Sequence, residues 1–160
     1  MHCLVIGYGN ELRGDDALGR RAAEAVADWQ LPGVEALSVH QLTPELAEPL
    51  ARADCALFLD AHPAQTDPDL RVQSVSRSRS ESGLGHSADP ARLLTCTDLW
   101  FGRIPASWWI TMPAADFAFG APLSPIGAQG LAEGLRTIRA LIESVQRRSG
   151  TAPACDPAGR

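Results

Sequence analysis

Two segments, Cys3-Leu4-Val5-Ile6-Gly7 and Cys55-Ala56-Leu57-Phe58-Leu59, are apolar throughout rather than at every second position. A strand with one wet face alternates, whereas an unbroken apolar run belongs to a strand covered on both sides, as in a parallel sheet lying between helices. The stretches between the two runs supply such helices. From Asp16 to Trp29 the positions Leu18, Ala22, Ala25, Val26 and Trp29 recur at three and four until Pro32-Gly33 stops them. Val34 to Val39 then reads as a strand, and Thr43-Pro44 opens a helix carrying Leu46, Ala47 and Leu50, with a hydroxyl at the N-cap and proline at the first helical position. Strand, helix, strand, helix, strand implies right-handed crossovers and a parallel sheet.

The rest of the chain extends this plan. Leu70 to Val75 has the alternation of a strand, and Ser76 to Gly85 is a Ser/Arg/Gly stretch without apolar anchors, which reads as an exposed loop. Asp89-Pro90 starts a helix to about Leu99, Trp108 to Met112 reads as a buried strand, and Ser124-Pro125 begins a long amphipathic helix through Leu131, Leu135, Ile138, Ile142 and Val145. The expected fold is an α/β three-layer sandwich around a mainly parallel sheet of about five strands. Residues 1–148 form its single domain, and 149–160, rich in Gly, Pro and Ala, read as a disordered tail.

Composition excludes several kinds of partner. The 160 residues carry 14 basic side chains, all arginine, against 19 acidic ones, so no global positive field exists to hold nucleic acid or anionic lipid. Cys3, Cys55, Cys96 and Cys155 are scattered without a C-x-x-C, and two of them lie in the apolar runs, which fits a reducing cytoplasm better than a disulfide framework. The start runs at once into a glycine turn, and no apolar stretch is long enough to span a membrane. A cytoplasmic monomer is expected.

In a parallel sheet all strands end at one edge, so residues following them gather there. Asn10, Asp15 and Asp16 follow the first strand, His40 and Gln41 the second, Asp60 and His62 the third, and the long loop brings His86 before the next helix. Carboxylates and imidazoles in one crevice suit a divalent transition ion such as nickel, zinc or iron. Each residue also has a plainer reading. Asp15 and Asp16 can serve as a helix cap with its dipole partner, His86 as a solvated loop residue, and His40 and His62 as hydrogen-bonding side chains. Asp60 is harder to dismiss, because a carboxylate ending an apolar strand needs solvent, turn amides or a ligand. Other chemistries lack their residues. Leu12 stands where a third dinucleotide-fold glycine belongs, the absence of lysine rules out a phosphate loop, and neither G-x-S-x-G nor H-E-x-x-H occurs.

The segment Gly7-Tyr8-Gly9-Asn10-Glu11-Leu12-Arg13-Gly14-Asp15-Asp16-Ala17-Leu18-Gly19 resembles the opening motif of the nickel-iron hydrogenase maturation proteases, G-x-G-N-x-L-x-x-D-[DE]-x-x-G. The resemblance extends through His40-Gln41-Leu42-Thr43-Pro44-Glu45-Leu46, Leu59-Asp60-Ala61, His86 and Pro122-Leu123-Ser124-Pro125. It departs at Ala17, where glycine is usual, and at Met112-Pro113-Ala114-Ala115-Asp116, which replaces a G-I-x-P turn. The resemblance implies that Asp16, Asp60 and His86 bind metal, with Asp16 and Asp60 central to catalysis. It implies an aspartyl-like endopeptidase that removes a C-terminal extension from a nickel-iron hydrogenase large-subunit precursor after nickel insertion, the nickel being supplied by the substrate. Two other readings stay open: a non-catalytic chaperone of the large subunit's metal centre, and a hydrolase holding its own zinc through His40 or His62 with Asp60 and His86.

Overall fold

The computed structural model describes residues 1–77 and 89–150. The expected loop after Val75 falls mostly on residues 78–88, and the expected tail on 149–160; apart from the backbone at the end of the last helix, both lie outside the described residues, as does His86.

Among the described residues, five strands and four helices follow in the order β1 (Cys3–Tyr8), α1 (Leu18–Asp28), β2 (Val34–Val39), α2 (Ala47–Arg52), β3 (Cys55–Pro63), β4 (Arg71–Val75), α3 (Pro90–Phe101), β5 (Ala106–Ala114) and α4 (Pro125–Gly150). Single 3₁₀ turns, Gly14–Ala17 and Pro44–Leu46, precede the first two helices. The sheet order is β2-β1-β3-β5-β4. All pairings are parallel except β4 with β5, which run antiparallel. The fold is the expected three-layer α/β/α sandwich.

The unbroken apolar runs are indeed the central strands, and alternate side chains enter two separate cores. Val5, Leu57, Leu59, Ile110 and Met112 pack under α1 and α4 with Leu18, Val26, Ile138 and Ile142. Leu4, Ile6, Tyr8, Ala56 and Phe58 face α2 and α3 with Leu50 and Leu94. Burial of such side chains contributes roughly 1.5–3 kcal/mol each against the entropy of ordering the chain. Two elements run longer than their sequence pattern indicates. β5 extends two residues beyond the Trp108–Met112 run on each side, because its neighbours β3 and β4 continue to offer backbone partners. α3 continues to Phe101, past Leu99, and stops at Gly102, whose φ of +65° supplies the left-handed C-cap.

The sheet's carboxyl edge is closed by short connections. α1 approaches it so closely that a Cβ on Gly7 would lie 1.9 Å from the Gly19 carbonyl oxygen, and one on Gly19 would lie 2.2 Å from that of Leu59. These two motif glycines let the helix start rest directly on β1 and β3, which brings the Asp15-Asp16 turn over the end of the sheet. Among the described residues no helix is long and apolar enough to cross a membrane.

Candidate metal and catalytic site

Asp16 sits in the 3₁₀ turn that leads into α1. Its Oδ2 accepts a hydrogen bond from the Asn10 backbone amide at 2.8 Å, while the Asn10 side chain accepts from the Leu12 amide at 3.0 Å. The loop after β1 is thereby folded around the carboxylate. Asp60 is the sixth residue of β3, where it registers opposite Thr111 of β5. Its Oδ1 accepts only from the amide of the following residue, Ala61, at 2.8 Å.

The structure brings these two carboxylates into electrostatic contact. Burial, the larger cause, and the charge of Asp16 together push the Asp60 carboxyl up to about 6 from its ordinary 3.8, against the opposing bond from Ala61. Tyr8 lies in the same neighbourhood, and burial and the Asp60 charge both raise its phenol. The Tyr8 hydroxyl and Trp109 Nε1 are buried and form no hydrogen bond within ordinary geometry. Asp60 is therefore buried with one bonded amide and the Tyr8 hydroxyl close by, and a cation placed between the two acids would relieve both the repulsion and the desolvation.

Asp15, the immediate neighbour of Asp16, has a different environment. It is fully buried, and its carboxylate accepts from the amides of Ala115 (2.8 Å), Asp116 (3.1 Å) and Ser124 (2.8 Å) and from the Ser124 hydroxyl (2.5 Å). Burial alone would raise this carboxyl, but the Ser124 hydroxyl and the three amides outweigh it and hold it below the ordinary value. The Ser124 oxygen also accepts from the Gly127 amide at 2.9 Å, so it caps α4 while bonding Asp15. Gly127 itself admits the anion: a Cβ there would fall 2.3 Å from Asp15 Oδ1. The segment after β5, which departs from the expected turn pattern, is thus tied to the loop after β1 by the Asp15 carboxylate, with further bonds from the Asp15 amide to the Asp116 carbonyl and from Arg13 Nε to the Phe117 carbonyl. Sequence reasoning placed Asp15 at the edge without assigning it this task.

The described histidines stand apart from the acid pair. His2 is bound to Glu35 at 3.1 Å, and His40 is exposed. His62 is buried, with Nε2 donating to the Asp67 carbonyl at 2.9 Å, which leaves Nδ1 as an unpartnered acceptor. It braces the β3–β4 turn, where Asp67 also holds Arg71 at 2.6 Å. Among the described residues no three His, Cys, Asp or Glu side chains form a group able to hold a metal on their own. Cys3 and Cys55 are adjacent in register and buried in the core, and Cys96 is half-buried on α3.

No protein-family model matches the chain, and no curated protein matches it in sequence. Solved structures do share its fold over nearly its whole length. The NiFe hydrogenase maturation protease HycI from Thermococcus kodakarensis KOD1 superposes with a TM-score of 0.71 at 17% identity, covering 89% of this chain and 92% of its own. The hydrogenase maturating endopeptidase HybD from E. coli gives 0.71 at 22% identity, covering 90% and 94%. A hydrogenase 2 maturation peptidase from Thaumarchaeota archaeon SCGC_AB-539-E09 gives 0.64 at 19%, covering 89% and 98%. At these identities the likeness is one of fold.

Proposed function

We propose that this chain is an endopeptidase of nickel-iron hydrogenase maturation, removing the C-terminal extension of a large-subunit precursor once nickel has been inserted. The observation that carries the reading is the pairing of Asp16 and Asp60 at the carboxyl edge, each carboxylate accepting one backbone amide and Asp60 raised by burial and the charge of Asp16, on a fold shared with structures named for that activity.

Asp16, Asp60 and His86 would complete the coordination of a nickel ion that the substrate already holds. Two oxygens and an imidazole nitrogen suit an ion of intermediate hardness. Two acids alone, without a resident third ligand among the described residues, hold a divalent ion weakly, so the metal arrives with the substrate rather than staying with the free protein. Recognition is then conditional on nickel insertion, because the empty precursor offers no charge to pair with the acids.

On this reading the attacking group is water. Water adds to the scissile carbonyl and gives up a proton to a carboxylate oxygen of Asp60 that the ion does not engage. The C–N bond breaks and the departing amine takes that proton.

The test is incubation of the purified chain with nickel-loaded and nickel-free precursor, read by intact mass. Loss of a short C-terminal peptide from the loaded form only is expected, with His86→Ala slowing it. A loaded precursor that binds and stays uncut would overturn the protease reading in favour of a metal-centre chaperone.

A further inference from the structure

Among the described residues three buried side-chain atoms close no hydrogen bond: His62 Nδ1, Tyr8 Oη and Trp109 Nε1. The first belongs to the β3–β4 turn; the other two lie beside Asp60. A buried polar atom left unpaired destabilises a fold, so two of them next to one carboxylate call for an account. Their positions follow from the register. Gly7 on β1 is level with Leu59 on β3, and β1 ends one residue later at Tyr8, next to Asp60. On the other side of β3, Phe58 is level with Trp109 of β5. Because side chains alternate along a strand, Tyr8, Phe58, Asp60 and Trp109 project from the same face of the sheet, the one that packs under α2 and α3. Each group also acts on the next. Beyond burial, its largest cause, the rise of the Tyr8 phenol comes from the Asp60 charge and is opposed by Trp109, and the Tyr8 hydroxyl in turn opposes the rise of Asp60.

The donor and acceptor inventory fixes the direction of these contacts. An indole N–H can only donate, an ionised carboxylate can only accept, and a phenol does both. One ordering satisfies all three groups: Trp109 Nε1–H donates to Tyr8 Oη, and Tyr8 Oη–H donates to an Asp60 oxygen. A second acid near Tyr8, Asp89, acts on it more weakly, and its carboxylate already accepts from the Ala91 amide as the N-cap of α3. Asp60, bonded only to the Ala61 amide, is the acceptor in need of a second donor. Bonds of this kind are often loose in a free site and tighten when substrate engages.

We propose that Tyr8 and Trp109 are positioning residues for Asp60: when the loaded precursor engages the site, the bonds from Trp109 to Tyr8 and from Tyr8 to Asp60 close and fix the rotation of the carboxylate that takes the proton from water. This rests on the protease reading and adds to it two residues that act through Asp60. With the Ala61 amide and the Tyr8 hydroxyl both bonded, the carboxylate is held by two donors rather than one. Docking of the ion is shared with other ligands, Asp16 among them, whereas the proton goes to Asp60 alone. Loss of the relay therefore falls on turnover more than on binding.

The test uses the full chain and its nickel-loaded large-subunit precursor, with rates taken per folded molecule. Tyr8→Phe removes the hydroxyl and keeps the ring in the core under α2 and α3. It is expected to lower kcat about ten-fold with KM changed less than about two-fold. Trp109→Phe should lower kcat about three-fold, and the double variant about ten-fold rather than about thirty-fold, because the indole acts only through the hydroxyl. Thermal denaturation supplies a readout that needs no precursor. In the free protein the Tyr8 hydroxyl closes no bond, so Tyr8→Phe should melt no lower than the unaltered chain. An unchanged kcat in Tyr8→Phe, a rise in KM as large as the fall in kcat, a lowered Tm that accounts for all the lost activity, or losses that multiply in the double variant overturns the relay while the protease reading stands. If the unaltered chain leaves the loaded precursor uncut, the protease reading falls and takes this one with it.

Discussion

Asp15 and Asp16 are consecutive in sequence and opposite in circumstance. Asp15 is fully buried yet has four hydrogen bonds converging on it, and its carboxyl is held below the ordinary range. Asp16 and its companion Asp60 each accept one backbone amide, and Asp60 is pushed up to about 6. A buried acid on which four donors converge is structural, because its charge is already compensated by the fold. An acid that the fold buries near another acid and leaves short of donors destabilises the free protein, and that cost is offset only when something positive binds. On the proposed function, the difference separates the wall of the crevice from its working surface.

The comparison breaks most visibly in activity. Asp16→Ala and Asp60→Ala should each lower precursor processing by about 10³-fold or more while leaving the circular dichroism spectrum and melting temperature near those of the unaltered protein. Normal cleavage of metal-free precursor by Asp16→Ala would return both acids to ordinary helix-start and strand-end roles.

Asp15→Ala should show the converse. It strands three amides and a hydroxyl in a dry site, and removing one side of a buried charged network costs about 3–5 kcal/mol. For a chain of this size that is a fall in Tm of roughly 10–15 °C, measurable by thermal denaturation, with activity lost in step with the folded fraction. The stabilisation is present above the unfolded carboxylate pKa of 3.8 and is lost as pH falls through the lower folded value, so the gap between Asp15→Asn and the unaltered protein should close in acid. A stable but inactive Asp15→Ala would place this residue with the working acids instead.

How much of this was legible in the sequence follows from how far each signal reaches. The two uninterrupted apolar runs were enough to expect the parallel centre, and the strand-end rule put Asp16 and Asp60 at one edge, because both are local patterns. The direction of β4 was not legible: its residues are largely exposed and it is oriented by pairing with β5, more than 30 residues later. Nor was the role of Asp15. Its donors are mostly backbone amides of Ala115, Asp116 and Ser124, about a hundred residues away, and a backbone amide leaves no mark in composition or periodicity. Ser124-Pro125 was readable as a helix cap, but the hydroxyl's second bond to Asp15 was not. His62 at a strand end looked equally suited to a site, and only the folded turn shows its Nε2 committed to the Asp67 carbonyl.

Ser124→Ala sharpens the wall side of the comparison with a smaller effect. It removes the cap on Gly127 and the hydroxyl bond to Asp15 but leaves the Ser124 amide bond intact. A loss of about 2 kcal/mol by urea denaturation is expected, clearly less than for Asp15→Ala. A loss as large as that of Asp15→Ala would mean that the hydroxyl, rather than the set of amides, carries the anchor.

The smallest effect has the opposite sign. Asp60→Asn keeps an oxygen to accept from Ala61 but removes the charge, so in metal-free protein it should be stabilising at neutral pH. Because the folded pKa of Asp60, about 6, lies above the ordinary 3.8, the folded state holds its proton more tightly than the unfolded one. That contribution is fully present below 3.8 and is lost as pH rises through 6, so the ionised group is a net cost at pH 7.5. Discounted for partial exposure, the cost is about 1–2 kcal/mol, or a gain of roughly 3–6 °C for the asparagine variant. Near pH 3.5 the side chain is neutral in both proteins and the difference should vanish. Paired melts at the two pH values in the presence of a chelator make the measurement, alongside Asp15→Asn, which should be destabilising at pH 7.5. An Asp60→Asn protein that melts below the unaltered one at pH 7.5 would show that the fold already satisfies Asp60 and that no binding partner is needed to account for its place.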